Sequence, residues 1–373
     1  MAKEKKQGGG DLLRPGKMVD TRESLAKVYQ NGVISGANLK NSTIPRLQTG
    51  IFILDFQSGG GVPEGRISNF WGNKSSGKST LGYRCMGNYL EKYKNRSAIL
   101  AEFGEERKSL TSDYALNFMS PDELRRVTPI YPDYAEQGID MIGELIRTED
   151  AGFLMVDCIA AMISLEEAEK SATEDSRAQT AKMANKLIRK ILPVLAQRDR
   201  LGMCPITVIL LNQIRVQQGG KAKGGNIAYH QPGGHRIEHL YHMMVRLYQK
   251  EVIQRGGVPI RMCHTYKIEK NKLGLPKCAG EFEMAISEHD GFQVGEVDNY
   301  QTVLDYSKKC GVRKKDGASW ILDKKKFPNE GACLSYLLEN PDAYERVYQA
   351  TLAECLKNPL FGNSGNDDVE PED

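Results

Sequence analysis

Residues 70–80, FWGNKSSGKST, combine two glycines, two lysines and four hydroxyl side chains at a spacing that suits phosphate binding. The pattern G-x-x-x-x-G-K-S begins at Gly72, and in such loops backbone N–H groups surround phosphates, the lysine neutralises charge and the serine binds Mg²⁺. Glycine permits close backbone approach, and the helix that follows directs its positive dipole end at the anion. A plain Gly-Ser turn is the alternative, but the strand-like RISNF before it favours nucleotide binding. The predicted nucleotide-binding residues are Gly72, Asn73, Lys74, Ser75, Ser76, Gly77, Lys78, Ser79 and Thr80.

Carboxylates end two further apolar segments, where a nucleotide-hydrolysing site would use them. Asp157 closes GFLMVD, and an aspartate at such a strand end can hold Mg²⁺ together with Ser79, although it is otherwise a common helix cap. Glu102 closes SAILAE, where a carboxylate can orient and deprotonate the water that attacks the γ-phosphate. Glu105 and Glu106 follow closely, so an exposed acidic turn is the alternative interpretation.

A long basic stretch, LLNQIRVQQGGKAKGGNIAYHQPGGHR, follows a hydrophobic strand that ends at Asn212 and Gln213. A loop of this length is usually functional or disordered. Its cations favour a polyanion and Tyr229 could stack on a base, whereas charged runs are also common on solvated faces, so composition leaves both readings open. The cations of interest are Arg215, Lys221, Lys223 and Arg236.

Composition limits the class of protein. The chain has 373 residues, of which 40% are hydrophobic, which is enough for one large domain with smaller attachments. The net charge of +3 is too small to indicate a nucleic-acid partner by itself. We expect the basic start, MAKEKKQGGG, and the acidic end, GNSGNDDVEPED, to be mobile tails.

The cysteine pattern and hydropathy indicate a compartment. Eight cysteines without C-x-x-C spacing predict reduced thiols in a cytosolic protein. The sequence shows neither a signal-peptide pattern nor an apolar run near 18 residues, so we expect a cytoplasmic protein that does not bind membranes.

Apolar strands alternate with amphipathic helices through the middle of the chain. This alternation predicts an α/β fold with a mostly parallel sheet covered on both faces. Ligands of such sheets bind at the carboxyl ends of the strands, where the motifs above also cluster. The predicted elements are RISNFWG, a helix at 80–94, SAILAEF, a helix near 136–148, GFLMVDC, a helix near 179–198 and ITVILLNQI.

The ends of the chain have different patterns. A capped helix is predicted at 20–31, and after residue 284 the sequence predicts a helix, a short hairpin and two helices. We interpret this last part as a small domain, and the alternative is that its helices decorate the core. The predicted divisions are an N-terminal extension at 1–46, a core at 47–284, a small α/β domain at 285–360 and an acidic tail at 361–373.

Four segments together resemble the bacterial RecA-type recombinases and their phage relatives. These are GGGVPEGRISNFWGNKSSGKST, AILAEFGEE, GFLMVDCIAAM and LLNQIR, in this order and at these separations. Related helicases share the phosphate loop but lack NQIR followed by a glycine-rich basic loop and PGGHR. The resemblance runs from about residue 20 to the acidic tail. It implies a RecA-like P-loop ATPase core with a small N-terminal helix and strand and a small C-terminal domain.

The resemblance also implies residue roles. Glu102 matches the family's water-activating carboxylate, and Gln213 matches the glutamine that senses the γ-phosphate and signals to the DNA loop. Tyr114 is similar to the tyrosine that stacks on adenine, although the segment before it is longer here. Lys270 and Lys272 match lysines that reach a neighbouring subunit's γ-phosphate and stabilise transition-state charge. The implied catalytic residues are Glu102, Lys78, Gln213, Lys270 and Lys272, and the implied Mg²⁺ ligands are Ser79 and Asp157.

DNA binding and filament formation are implied by the same comparison. Segments 166–178 and 215–236 match the family's two DNA-contacting loops, and the N-terminal helix and a strand near 39–47 would pack on an adjacent subunit. Ala178, Gln217 and Gln218 stand where the family usually has bulky apolar wedges between base triplets. The implied DNA-binding residues are Arg177, Arg215, Lys221, Lys223, Tyr229, Gly233, Gly234 and Arg236.

The implied function is ATP-dependent and Mg²⁺-dependent homologous pairing and strand exchange by a helical filament on single-stranded DNA. Partners would be single-stranded and double-stranded DNA, further copies of the chain, and single-strand-binding and loader proteins. A ring-forming helicase is one alternative, which closed hexamers would reveal. A nucleotide-switched scaffold is the other, which absent hydrolysis would reveal.

Overall fold

The computed structural model describes residues 18–29, 44–104, 112–169, 177–221, 227–232, 235–275 and 277–358. The helices are α1 Met18–Tyr29, α2 Phe52–Ser58, α3 Lys78–Lys92, α4 Ser112–Ala115, α5 Pro121–Leu124, α6 Ala135–Leu145, α7 Leu165–Glu169, α8 Arg177–Arg200, α9 His235–Glu238, α10 Tyr300–Lys309, α11 Glu330–Glu339 and α12 Pro341–Lys357. The strands are β1 Arg46–Leu47, β2 Val62–Pro63, β3 Ile67–Gly72, β4 Ser97–Glu102, β5 Val127–Ile130, β6 Ala151–Asp157, β7 Thr207–Gln213, β8 Arg215–Lys221, β9 Ile227–His230, β10 Met243–Arg255, β11 Val258–Asn271, β12 Ala279–Ala285, β13 Lys314–Asp316, β14 Ser319–Leu322 and β15 Lys325–Phe327.

The main sheet has eight strands in the order β12-β11-β10-β3-β7-β6-β4-β5. The six strands from β10 to β5 are parallel, whereas β11 and β12 are antiparallel additions at one edge. The predicted α/β fold with a mostly parallel sheet is confirmed. The antiparallel edge carries Lys270 and Lys272 at the end of β11, and no motif in the sequence predicted its position.

Helices cover both faces of this sheet and bury its central strands. Every residue of β3 and of β6 is buried, as expected for strands packed on both sides. One face packs on α3 through Leu81 and Leu90, and the other packs on α6 and α8 through Ile139 and Leu187. The two helical layers therefore fix the strand ends that carry the predicted site.

A third hydrophobic cluster joins α2 to the helices after residue 300. Phe52 and Phe56 of α2 pack with Val303, Leu337 and Leu352. Beside these helices lies a three-stranded antiparallel sheet, β13-β14-β15, where the sequence predicted only a hairpin. The third strand has only three residues, too few for its own periodic pattern.

The start of the described chain contains α1 and a short two-stranded sheet. The predicted helix at 20–31 corresponds to α1, and Arg46–Leu47 pairs with Val62–Pro63. Residues 39–43 of the predicted strand, both tails and the domain boundary at 360 lie outside the described residues. The other boundaries remain predictions. Among the described helices, none has the length and hydrophobicity required to cross a membrane.

Candidate nucleotide and DNA site

The predicted phosphate loop lies between β3 and α3. Gly77 precedes α3 with φ of 83°, in the left-handed region that favours glycine. At the other end of the loop, a Cβ built on Gly72 would overlap the backbone carbonyl oxygen of Leu247. Both glycines are therefore required by the local backbone, and the helix N-terminus faces the loop as an anion site requires.

The loop lysine is held across its own turn. Lys78 Nζ lies 2.5 Å from the carbonyl oxygen of Asn73 and 3.3 Å from Ser76 Oγ. The side chain is nearly buried, with 8% exposed. Lys74, in the same loop, is exposed. The amine of Lys78 is thus placed inside the loop, where it can neutralise a bound phosphate.

Ser79 and Asp157 meet although 78 positions separate them in sequence. Ser79 Oγ donates to Asp157 Oδ2 at 2.7 Å. Hydroxyl and carboxylate oxygens are ligands that Mg²⁺ prefers, usually together with phosphate oxygens and waters. The donor set therefore fits Mg²⁺ bound beside a nucleotide.

The second carboxylate lies on the neighbouring strand. Glu102 of β4 pairs in register with Asp157 of β6, and the N–H of Phe103 donates to the carbonyl oxygen of Asp157 at 2.7 Å. The Glu102 side chain is fully buried, and Tyr83 Oη lies 3.4 Å from its Oε1. Burial and the Glu102 charge raise the pKa of Tyr131. The alternative of an exposed acidic turn does not apply to Glu102, while Glu105 and Glu106 lie outside the described residues.

Gln213 ends β7 directly beside the phosphate loop. It pairs with Gly72 across the parallel strands, and the N–H of Ile214 donates to the Gly72 carbonyl at 3.2 Å. A backbone bond therefore connects the start of the phosphate loop to the start of the predicted DNA segment.

Asn212 makes contacts that the sequence did not predict. Its Nδ2 donates to the Pro232 carbonyl at 2.7 Å and to Gln231 Oε1 at 3.2 Å. Its Oδ1 accepts from the N–H of Gln213 at 3.0 Å. One buried side chain therefore contacts residues shortly before the predicted second DNA segment and near its far end.

Tyr114 lies over the start of α3. Its hydroxyl is 2.9 Å from Thr80 Oγ1, and its ring packs edge-on against Tyr83 and Phe118. Burial raises the pKa of the Tyr114 hydroxyl. The tyrosine thus lies next to the phosphate loop, as a residue that contacts the base would.

A buried histidine lies against the phosphate loop. His264 of β11 is 3% exposed, and its ring would contact a Cβ on Gly77 at 3.1 Å. The ring stacks on Phe282 with centroids 5.1 Å apart. Burial lowers the pKa of His264 to about 4, so the ring is neutral at pH 7. A lone histidine in a strand gave no signal in the sequence.

Lys270 and Lys272 lie away from their own phosphate loop and contact α9. Lys270 Nζ is 2.5 Å from the Glu238 carbonyl oxygen, and Lys272 Nζ is 2.9 Å from the His239 carbonyl oxygen. Burial and the charge of Lys272 lower the pKa of Lys270. The two amines are thus adjacent to each other and to the end of the second DNA segment.

The predicted DNA segments are described in part. Residues 166–169 belong to α7, residues 170–176 lie outside the described part, and Arg177 begins α8. The second segment contains an antiparallel ribbon, β8 paired with β9, so the predicted irregular loop was wrong for 215–221 and 227–230. Only the backbone is described at Arg177, Ala178, Arg215, Gln217, Gln218, Lys221, Tyr229 and Arg236, and Lys223, Gly233 and Gly234 lie outside the description.

The phosphate loop lies before α3, Ser79 bonds to Asp157, and a buried carboxylate lies on the adjacent strand. This arrangement is typical of P-loop nucleotide-binding proteins. The family model of the RecA N-terminal domain matches residues 18–291. The chain therefore belongs to the RecA family, and its core has the RecA-like fold.

Curated relatives named Protein RecA are similar over most of the chain. The protein of Campylobacter hominis is 26% identical over 358 residues, covering 94% of this chain and 95% of the relative. The protein of Malacoplasma penetrans is 27% identical over 317 residues, covering 84% and 88%. A crystal structure of the RadB recombinase covers 64% of this chain and 96% of its own, at 15% identity and a TM-score of 0.46.

Proposed function

We propose that this chain, a RecA-family recombinase, carries out ATP-dependent homologous recombination as a filament on single-stranded DNA, with DNA-stimulated ATP hydrolysis. The observation that carries the proposal is the contact between the phosphate loop and the second DNA segment. Ile214 N–H bonds to Gly72, and Asn212 holds Pro232 at the far end of that segment. A nucleotide at the loop and DNA at the segment would therefore act on connected backbone.

The phosphate-binding side of the site works within one subunit. Lys78, already placed inside the loop, neutralises the transferring phosphoryl group. Ser79 and Asp157 would hold Mg²⁺, which would supply positive charge beside the nucleotide phosphates. Glu102 would orient the attacking water and accept its proton. Glu102 and Asp157 end strands β4 and β6, and Lys78 and Ser79 begin the helix that follows β3 and its loop.

A neighbouring subunit would complete the site. Lys270 and Lys272 donate to the carbonyls of Glu238 and His239 at the end of α9, which fits a role outside their own phosphate loop. Two cations supplied in this way would do the work of an arginine finger on developing charge. Hydrolysis would then depend on the contact between subunits, and loss of the γ-phosphate would weaken that contact.

The DNA would be held mainly through its backbone. Cations of the two segments would contact phosphates, and Tyr229 would stack on a base. Phosphate contacts position a protein without reading sequence, so homology would be read by base pairing between the strands. The state with ATP would bind DNA more tightly than the state with ADP, because a ligand shifts an equilibrium only by its differential affinity.

Formation of joint molecules tests this proposal. A labelled single strand and a homologous duplex would be incubated with the chain, ATP and Mg²⁺, and the products separated on gels, with heterologous duplex as the blank. Lys78→Ala removes the buried loop lysine, and Lys94→Ala is the control because that lysine is exposed and lies outside the loop. We expect joint molecules from the parent and from Lys94→Ala, but not from Lys78→Ala.

Electron microscopy of the same mixtures separates the two kinds of assembly. Open helical filaments on single strands are expected. Closed rings with strand unwinding and no joint molecules would contradict the proposal and support a helicase. Joint molecules that form equally well with heterologous duplex would also contradict it.

A further inference from the structure

A third hydroxyl in the first turns of α3 contacts the proposed site. Ser79 and Thr80, at the start of the helix, bond to the proposed metal and base residues. Tyr83 lies one turn after Ser79, and its hydroxyl donates to Oε1 of Glu102 at 3.4 Å. The phosphate-loop motif ends before Tyr83, so the motif predicts no role for this side chain.

The contact between Tyr83 and Glu102 lies in the protein interior. Tyr83 is 1% exposed, and Glu102 is fully buried. A hydrogen bond to an ionised acceptor is stronger than one between neutral groups, and the interior strengthens it further. The Tyr83 hydroxyl therefore helps to set the orientation of the carboxylate that would activate water.

The backbone on each side of this contact is held by packing. A Cβ built on Gly82 would lie 2.7 Å from Met155 Cε, so α3 packs closely on β6 next to Tyr83. Glu102 ends β4, which pairs in register with β6. Small changes in this contact therefore have to come from the two side chains.

Two aromatic rings lie against the ring of Tyr83. The Tyr114 ring is edge-on to it with centroids 6.1 Å apart, and the Phe118 ring is tilted at the same distance. Tyr114 and Phe118 also pack on each other with centroids 5.1 Å apart. Such edge contacts depend on ring orientation. The position of the Tyr83 ring is therefore tied to that of Tyr114, the proposed base contact.

The length of the hydrogen bond makes it sensitive to ring position. A separation of 3.4 Å is long for a bond between two oxygens, which is usually below about 3.0 Å. Catalytic hydrogen bonds often tighten only when the substrate is bound. A shift of the Tyr83 ring by roughly half an ångström would therefore change the strength of the bond to Glu102 considerably.

We propose that Tyr83 is a positioning residue that transmits the placement of the nucleotide base from Tyr114 to Glu102. A base packed on Tyr114 sets the Tyr83 ring, and the Tyr83 hydroxyl then orients Glu102 toward the attacking water. The turnover rate at saturating nucleotide thus depends on the base contact. This inference rests on the proposed function, which places the base at Tyr114 and the water at Glu102.

ATP hydrolysis on single-stranded DNA by Tyr83→Phe tests the contact with Glu102. The variant keeps the ring and loses the hydroxyl. We expect kcat to fall roughly tenfold, the lower end for a hydrogen bond to a charged group, with little change in KM for ATP. Tyr89→Phe is the matched control, because Tyr89 is also buried on α3 and its hydroxyl lies 3.7 Å from Cys204 Sγ. Thermal unfolding of both variants measures any loss of stability.

Two double-mutant cycles test the route from the base to the carboxylate. In the first, Tyr83→Phe should have almost no further effect on phosphate release in a protein that already carries Glu102→Gln. In the second, Tyr114→Leu removes the ring and should lower kcat at saturating ATP severalfold. The same substitution should have almost no effect on kcat in Tyr83→Phe, because the route is already broken.

The outcomes separate this inference from the proposed function. An unchanged kcat in Tyr83→Phe, equal losses in Tyr83→Phe and Tyr89→Phe, or additive effects in either cycle would overturn the inference. Each of these results would leave the proposed function standing, since the parent would still hydrolyse ATP on DNA. A parent that hydrolyses no ATP with any DNA would overturn the inference together with the proposed hydrolysis.

Discussion

The phosphate loop and the end of β11 are two cationic regions of one sheet that are held in opposite ways. In the loop, Ser79 bonds to Asp157 through side chains, and Lys78 bonds within its own turn. At the end of β11, Lys270 bonds to the main-chain carbonyl of Glu238, the last residue of α9, and Lys272 bonds to that of His239, the residue after it. In the first region Ser79 and Asp157 bond within one subunit. In the second, burial and the charge of Lys272 lower the pKa of Lys270, and the charge of Glu238 opposes that change.

The two kinds of contact place different requirements on residue type. A side-chain pair such as Ser79 and Asp157 is lost when either residue is replaced by another type. The residue types of such a pair can therefore be recognised in the sequence as a motif. A carbonyl acceptor can come from any residue type, so the contact of Lys270 with position 238 leaves no trace in the sequence. Substitutions in the first region should therefore act within a subunit, and those in the second should act across subunits.

Lys78→Ala should have the largest effect. It removes the only loop amine that is nearly buried, and nucleotide-dependent binding of single-stranded DNA should fall on the order of 100-fold or more. Fluorescence anisotropy of a labelled strand with and without ATP measures this, with Lys94→Ala, outside the loop, as the control. Tight ATP-stimulated binding of single-stranded DNA by Lys78→Ala would show that the loop is not the nucleotide site. The proposed difference between the two cationic regions would then be wrong.

Glu102→Gln should separate hydrolysis from binding. The amide keeps the size of the buried side chain but cannot accept the proton of the attacking water, so turnover should fall roughly 1,000-fold. Filaments on single-stranded DNA should still form with ATP. Phosphate release and electron microscopy measure the two properties, and normal turnover would remove Glu102 from this role.

Lys270→Glu should lower hydrolysis without emptying the subunit's own nucleotide site. Because Lys272 remains, we expect a loss of roughly 100-fold in kcat with little change in ATP affinity. Lys267→Glu, on the same strand, is the control. A large loss of ATP affinity with unchanged kcat would place Lys270 in the nucleotide site of its own subunit and erase the contrast between the two regions.

Tyr114→Phe should have a smaller effect, confined to nucleotide affinity. The variant keeps the ring but loses the hydrogen bond to Thr80, so ATP should bind about fivefold more weakly, since such a bond contributes about 1 kcal/mol. Titration with a fluorescent ATP analogue measures the affinity, and Tyr93→Phe serves as a control outside the site. An equal loss of GTP and ATP affinity is expected if the hydroxyl only positions the ring.

His264→Phe should change stability with pH more than activity. Burial lowers the folded-state pKa of His264 to about 4, whereas the unfolded chain takes up the proton near pH 6.5. The parent should therefore lose about 2 kcal/mol of stability through this residue between pH 7 and pH 5. Urea unfolding at both pH values should show a smaller loss for His264→Phe, and parallel behaviour of both proteins would contradict this.

Most of the parallel core could be predicted because its elements are long and periodic. The strands ending at Asp157 and Gln213 read as apolar runs, and their parallel order explains why Glu102 and Asp157 meet. The antiparallel edge formed by β11 and β12 was not predicted. Alternating apolar and polar residues indicate a strand but do not show which strand it pairs with. The ribbon of β8 and β9 was also missed, because glycine and lysine have low strand propensity.

The site divides in the same way. Lys78, Ser79 and Gln213 belong to short motifs, so their residue types and spacing predicted their places in the site. Asn212 and His264 contact residues that are distant in sequence, and no motif spacing predicts such contacts. Asn212 donates to the Pro232 carbonyl, and the His264 ring lies against Gly77 of the loop. Their roles depend on chain segments brought together only by the fold.

ATP hydrolysis measured with no DNA, with single-stranded DNA and with duplex DNA tests the central claim most directly, with Lys78→Ala as the blank. We expect strong stimulation by single strands, because Ile214, the residue before the segment from Arg215, bonds through its N–H to the Gly72 carbonyl of the phosphate loop. Hydrolysis that is the same under all three conditions would contradict the account, and it would leave the phosphate loop as a nucleotide site without a connection to DNA.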